Sequence, residues 1–310
     1  MSKTVLLATE KPFSAAARDE VVAIIKQAGY TAKVLESYKG KGPLIEAIAS
    51  ADAAIVRSDI VDPEVLDAAK QLKLVVRAGA GYDSIDTAAA KAKGIAVMNT
   101  PGQNANAVAE LVLGMLVYLA RGKFNGKTGS ELRGKTLGLH AFGAVGRAVA
   151  TIAQGFGMTV FAHDPFVKAD AIKAGGAEAV SSVEDLYKKC QYVSLHIPAT
   201  AETKGSIGKK LLCSMPKGGT LINTARKEVI NEPELLEALA ERADLRYVSD
   251  IAPSDATLAA LKEKYDARVY VTPAKMGAQT EEANVNAGLA AARQIVGFFE
   301  RGDKNFIVNA

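Results

Sequence analysis

Short apolar runs of strand length recur along the chain and alternate with stretches whose apolar residues fall three and four positions apart. Aliphatic, β-branched runs lie at 4–8, 53–56, 74–76 and 95–98, and the rhythm restarts at 136–140, 159–162, 192–195, 220–222 and 247–249. Strands that alternate with helical patterns need crossover connections, and crossovers produce parallel sheets buried on both faces. The pattern therefore predicts two doubly wound α/β units. Between them, 104–120 reads as an apolar helix with only Glu110 charged, which places a domain crossover there. The last helical pattern, 281–300, puts Val285, Leu289, Ala292, Ile295 and Phe298 roughly on one face, as a helix returning to the first unit would need.

Composition narrows the function classes. With 310 residues, 49% hydrophobic and 23% charged, the chain has the balance of a globular protein of two ordinary domains. The net charge of +4 is mild, and no run of five Lys or Arg occurs, so a nucleic-acid partner has little support while a small anionic substrate suits the bias. Cys190 and Cys213 lack the spacing of a disulfide framework or thiolate metal site, so no metal is expected. The first apolar run, 5–8, is too short for a signal h-region and no apolar stretch approaches membrane length, so a reducing cytoplasm is the expected location, with no membrane partner.

The segment 134–146 carries the first specific chemistry. A predicted strand enters a tight turn and then a helix, with Gly143 and Gly146 at the second and third glycines of G-x-G-x-x-G and Ala141 at the first. The middle glycine lets backbone amides approach a pyrophosphate, the last allows close helix packing, and the helix N-terminus favours the anion. Asp164 follows the next predicted strand. A carboxylate there can accept from both ribose hydroxyls and repels a 2′-phosphate, which favours NAD over NADP. A simple Asp-Pro turn accounts for the same residues without a ligand.

Further motifs follow in order: Val56-Arg57-Ser58, Val76-Arg77-Ala78-Gly79-Ala80-Gly81-Tyr82-Asp83, Asn99-Thr100-Pro101-Gly102 through Ala109-Glu110, Ser194-Leu195-His196-Ile197-Pro198, Leu221-Ile222-Asn223-Thr224-Ala225-Arg226 and Ser249-Asp250. Over nearly the whole chain this order resembles the D-2-hydroxyacid dehydrogenase family, within it the 3-phosphoglycerate dehydrogenases that lack a C-terminal regulatory domain. The resemblance implies two Rossmann/flavodoxin-like domains with a deep cleft between them. A discontinuous substrate-binding domain would comprise 1–98 plus 284–310, and an NAD-binding domain 99–283. It also implies a homodimer formed through the helix near 104–120. Carried over by motif, Ala144, Val145, His196, Ile197, Thr224 and Ala225 join Gly143, Gly146 and Asp164 as the cofactor contacts, with Asp250 near the nicotinamide end. Arg226 would hold the substrate carboxylate and C2 oxygen, and a guanidinium at the C-terminal end of a strand is suited to that grip.

One departure from the family is chemical. The usual His after Thr-Pro is missing: the stretch reads Thr272-Pro273-Ala274-Lys275-Met276-Gly277, and His140, His163 and His196 belong to other motifs. Lys275 takes the imidazole's place as acid/base, as in a branch of the phosphoglycerate dehydrogenases. Asp255 stands where the supporting Glu is expected, although helix capping by Ser254 or Asp255 explains the same residues. Arg57 and Arg77, with Ser58, are candidate phosphate ligands, and the Gly79-Ala80-Gly81 turn offers backbone amides to an anion. The expected reaction is NAD-dependent oxidation of 3-phospho-D-glycerate, the first step of the phosphorylated route to serine. Reduction of glyoxylate or hydroxypyruvate is the alternative enzyme reading, and an NAD-binding corepressor the non-enzyme one.

Overall fold

The computed structural model describes residues 2–310, and the chain divides into two units: the chain up to Asn104 together with Thr280–Ala310, and Ala105–Gln279. The first begins with β1 (Thr4–Thr9), α1 (Ala15–Gln27), β2 (Thr31–Glu36), α2 (Gly42–Ile48), β3 (Ala53–Val56), α3 (Pro63–Ala68), β4 (Leu74–Arg77), α4 (Thr87–Ala92) and β5 (Ala96–Asn99). Its strands pair in the order β2-β1-β3-β4-β5, all parallel. Side chains alternate across a strand, so the continuous apolar runs feed two layers at once. Leu6, Ala8, Ala54, Val56 and Val75 pack on one face with Leu44, Ile48 and Val65. Val5, Leu7, Ile55, Leu74 and Val76 pack on the other with Val21 and Ile25. Ser14, Asp62 and Asp86 start α1, α3 and α4 by accepting from an amide three residues on.

The second unit runs α5 (Ala105–Ala120), β6 (Thr136–His140), α6 (Ala144–Gly155), β7 (Thr159–His163), α7 (Ala169–Ala174), β8 (Glu178–Ala179), α8 (Val183–Lys189), β9 (Tyr192–Leu195), α9 (Lys209–Ser214), β10 (Thr220–Asn223), α10 (Glu232–Glu241), β11 (Arg246–Ser249), α11 (Asp255–Tyr265) and β12 (Val269–Val271). Among the described residues these strands form a seven-stranded sheet, order β12-β11-β10-β9-β6-β7-β8, parallel throughout. From β6 the chain winds outward in one direction through β7 and β8, then returns to β9 on the other side. That reversal between β6 and β9 is the topological switch point at which doubly wound sheets bind ligands beyond their C-terminal edge.

The last helix, α12 (Glu281–Arg301), belongs to the first unit and places Ala287, Ala291, Ala292 and Ile295 in the core against β1, β3 and β4. The tail after it covers the edge of β5: Val308 donates to the Val97 carbonyl at 2.9 Å, and Val97 donates to Asn309 Oδ1 at 2.8 Å. β2, β8 and β12 are strands that the apolar pattern did not predict. β2 is an edge strand with Thr31, Lys33 and Val34 exposed, and β8 has two residues, both exposed. Among the described residues no helix is long and apolar enough to cross a membrane.

Where α12 crosses α1, Gly288 leaves little room for a side chain, since a Cβ there would lie 3.1 Å from Val21 Cγ2 and 3.2 Å from Phe13 Cε1. Gly288→Val is expected to destabilise the protein by about 1–2 kcal/mol, because overpacking outweighs the helix propensity gained. Urea denaturation monitored by circular dichroism checks this, and an unchanged midpoint would contradict the close crossing.

Candidate active site

Strand register fixes the site in the second unit. His163 pairs with His140, His140 with Leu195, Leu195 with Asn223, Asn223 with Ser249, and Ser249 with Val271. One row therefore crosses the sheet at its C-terminal edge, and the residues that follow it are Asp164, Ala141, His196, Thr224, Asp250 and Thr272. Candidates scattered over 130 residues of sequence meet there because the sheet is parallel.

At the switch point, β6 leads through Ala141 and Phe142 to Gly143, which caps α6. Ala141 has φ +85°, a left-handed conformation that strains any residue with a Cβ, so this position satisfies the geometry of the missing first glycine at some expense in strain. Its amide donates to the His163 carbonyl at 2.9 Å. The Asp164 carboxylate braces the same turn, Oδ2 accepting from Phe142 N and Oδ1 from Phe166 N, each at 2.8 Å. Gly146 is obligatory: a Cβ would sit 2.6 Å from the Ala141 carbonyl oxygen. Gly143 faces open space.

The structure fits a dinucleotide on three counts. α6 begins without a side-chain cap and with no acidic residue in its first turn, whereas α8, α10 and α11 are capped by Ser182, Asn231 and Ser254. Its first amides thus remain for an anion. Two buried polar atoms, Thr224 Oγ1 and His196 Nε2, have no hydrogen-bond partner among the described residues and lie in residues directly past the row. Asp164 retains lone pairs beyond its two backbone bonds, as an acceptor for ribose hydroxyls requires. Gly143, Ala144, Val145 and Gly146 would meet the pyrophosphate, and Ile197 and Ala225, both buried, would wall the site beside Thr224.

Asp250 directly follows β11 and is 1% exposed. Its Oδ1 accepts from Thr272 Oγ1 at 2.9 Å and Met276 N at 2.9 Å, and its Oδ2 from Gly277 N at 2.8 Å. Exposed Lys275 lies between these anchors in the loop after β12. Arg226, half-buried, directly follows the turn after β10. Asn223 shapes that turn, Nδ2 donating to the Arg226 carbonyl at 2.9 Å and Oδ1 accepting from Ala225 N at 3.0 Å, while the Arg226 guanidinium donates to the Ala225 carbonyl at 2.9 Å. Asp255 is the exposed first residue of α11, where a carboxylate complements the helix dipole. Sequence reading missed Thr272, Gly277 and Asn223. Only the glycine of Met276-Gly277 hinted that something approaches the backbone closely.

In the first unit Arg57 and Arg77 leave the C-terminal ends of β3 and β4 side by side, Arg77 Nε donating to the Arg57 carbonyl at 2.9 Å. The Arg57 guanidinium lies over the Phe13 ring, with its centre 4.8 Å from the ring centroid. It donates to the carbonyls of Lys11 and Pro12 at 2.9 Å and to Asn284 Oδ1 at 2.5 Å. Burial lowers its pKa. Buried Asp59 holds this arrangement by accepting from Glu10 N, Tyr38 Oη and Arg57 N. Gly79, at φ +146°, lies under the Arg77 guanidinium in a backbone conformation that a side chain would strain. Its amide donates to the Arg77 carbonyl at 2.9 Å, so it is already engaged, and the Ala80 carbonyl accepts from Asn99. Ala80 and Gly81 are half-buried and Ser58 is exposed.

Residues 108–273 match the model of the NAD-binding domain of D-isomer specific 2-hydroxyacid dehydrogenases. The chain is similar to a D-3-phosphoglycerate dehydrogenase of Methanocaldococcus jannaschii, 36% identical over 82% of this chain and 51% of that one. It thus spans about half the length of the curated phosphoglycerate dehydrogenases it matches. It is also similar to a hydroxypyruvate reductase of Thermotoga maritima, 33% identical over 85% of this chain and 90% of that one. The crystal structure of NAD+-bound 3-phosphoglycerate dehydrogenase in Entamoeba histolytica superposes with a TM-score of 0.89 at 44% identity, covering 100% of this chain and 99% of the other.

Two outcomes follow from the dinucleotide turn. Gly146→Ala would drive its methyl into the Ala141 carbonyl and should weaken NADH binding by on the order of tenfold or more, read by fluorescence titration. Equal affinity would refute the turn as the pyrophosphate site. Burial, with His163 nearby, lowers the His140 pKa to about 4. As pH falls through 6.5 the unfolded chain binds a proton that the folded chain refuses until about 4. The stability His140 contributes is therefore whole above 6.5 and is lost between these values, about 3 kcal/mol in all. His140→Leu should remove that share of the acid destabilisation in urea melts, and a slope equal to the parent's would refute it.

Proposed function

The chain belongs to the D-isomer specific 2-hydroxyacid dehydrogenase family, and from that premise we propose that it oxidises the C2 hydroxyl of 3-phospho-D-glycerate to 3-phosphohydroxypyruvate. The observation that carries this reading is the placement of Arg226 and Asp250, which anchors the Lys275 loop, directly past the same sheet edge as the dinucleotide turn. NAD, when bound, supplies the two-electron acceptor.

This chain's residues supply position and charge. Arg226 grips the substrate carboxylate and the C2 oxygen. Lys275, in its neutral form, accepts the proton of the C2 hydroxyl and returns it in the reverse direction. Arg57 and Arg77, with Ser58, receive the phosphate, since adjacent guanidinium groups suit a dianion. Asp255 acts on its helix rather than as the carboxylate partner of Lys275, an assignment its exposure and N-terminal position favour. α5 is the proposed contact of a homodimer, which light scattering would test.

Hydroxypyruvate or glyoxylate reduction is the second reading. Two observations favour it: the Arg57 guanidinium already serves two carbonyls and Asn284, and the hydroxypyruvate reductase relative matches along 90% of its own length.

NADH absorbance decides between the readings when 3-phospho-D-glycerate, hydroxypyruvate and glyoxylate are compared. The phosphoglycerate reading expects Lys275→Ala and Arg226→Ala each to reduce kcat/KM on the order of a hundredfold or more while NADH affinity is retained. Turnover of hydroxypyruvate alone would transfer the assignment to the reductase reading. Mutants as fast as the parent would remove both residues from the chemistry.

A further inference from the structure

We infer that Asp250 is a positioning residue that presents Lys275, a role that rests on the reading of Lys275 as the acid/base. Three donors converge on this one buried carboxylate: the Thr272 hydroxyl before the lysine, and the Met276 and Gly277 amides after it. Lys275 is therefore bracketed, and its Cα is confined by bonds on both sides of it in the chain. Pro273, Ala274, Lys275 and Met276 are all exposed, so burial in the core does little to order this stretch.

The chemistry of the anchor is specific for an ionised aspartate. All three partners present N–H or O–H groups, and only a group that accepts on both oxygens satisfies them together. An amide at this position must turn its NH2 toward at least one of the three donors. Gly277 is part of the same device: a Cβ there would lie 2.9 Å from Asp250 Oδ2 and 3.4 Å from Val108 Cγ2, so the amide reaches the carboxylate only because the side chain is absent. A lysine stem has four rotatable bonds, and a base on such a stem gains most from a fixed backbone origin.

The test needs a readout of the loop that does not depend on turnover. Trypsin cleaves after lysine, and in the cofactor-free protein the rate of cleavage at Lys275–Met276, identified by product mass, reports how often the loop opens. The variants are Asp250→Asn, which keeps size and loses the second acceptor; Gly277→Ala, which keeps the carboxylate and blocks its approach; and Thr272→Val, which removes one donor. The first two should each raise cleavage after Lys275 about tenfold or more and lower kcat by a similar factor, with NADH affinity within about threefold of the parent, and Thr272→Val should fall between them and the parent. If Asp250→Asn does not fold, Gly277→Ala and Thr272→Val decide. Parent-like cleavage rates in the variants would overturn the inference. So would Asp250→Asn weakening NADH binding tenfold while Gly277→Ala keeps the parent's kcat, since that assigns the carboxylate to the cofactor. A parent that oxidises or reduces no 2-hydroxyacid would defeat the proposed function, and the proteolysis would still show whether Asp250 holds the loop.

Discussion

Parallel pairing is the constraint from which the rest of this molecule follows. A parallel strand cannot turn straight back on its neighbour, so each strand must be followed by a crossover that covers a face of the sheet. Both faces are then buried, and the strands must be apolar on both sides, as Ala53–Val56 and Leu221–Ile222 are. Polar groups are consequently expelled to the strand ends. Because every strand of the second unit points the same way in a nearly even register, those ends share one edge, and Asp164, His196, Thr224, Arg226 and Asp250 follow it. The chemistry is concentrated by topology before any particular residue is chosen.

Along that edge, backbone amides rather than side chains do much of the organising. The turn from Ala141 to Gly146 is held by Asp164, and the loop carrying Lys275 by Asp250, each a carboxylate accepting from backbone N–H groups. Asp59 does the same for Glu10 and Arg57 in the first unit. In each case a short acidic side chain at or near the end of a strand fixes the backbone of the adjoining loop. Charge-assisted bonds of this kind are stronger than neutral ones, which helps a loop keep one conformation.

The fold class was legible because its signal is hydrophobic periodicity, which burial on both faces makes strong. The strands that escaped notice lack that burial: β2 lies at an edge and carries Lys33, β8 is a single exposed pair of residues, and β12 is a three-residue edge strand with only Val269 buried. In the candidate site, Gly143 and Gly146 could be singled out because one strand–turn–helix holds them, and Asp164 because it follows the next strand. What could not be read was contact across long separations. Asp250 meets Gly277 across 27 positions, and Arg57 meets Asn284 across 227. No local pattern encodes either. The competing roles of Asp255 were likewise open in the sequence, since a catalytic carboxylate and a helix-start carboxylate look alike there.

The lysine itself shows why such long-range anchors matter. An imidazole is short and flat, and its orientation can be fixed by one hydrogen bond to a neighbouring carboxylate. An ammonium group on four methylenes has no preferred plane, carries more rotamer entropy and reaches farther. Exchanging one for the other therefore moves the burden of orientation from the side chain to the backbone that launches it. In this chain the residue at the supporting-Glu position, Asp255, is exposed on a helix start, while both oxygens of buried Asp250 are spent on the loop on either side of Lys275. A backbone clamp of this kind fixes where the lysine stem begins, and so narrows the space its ammonium group can reach.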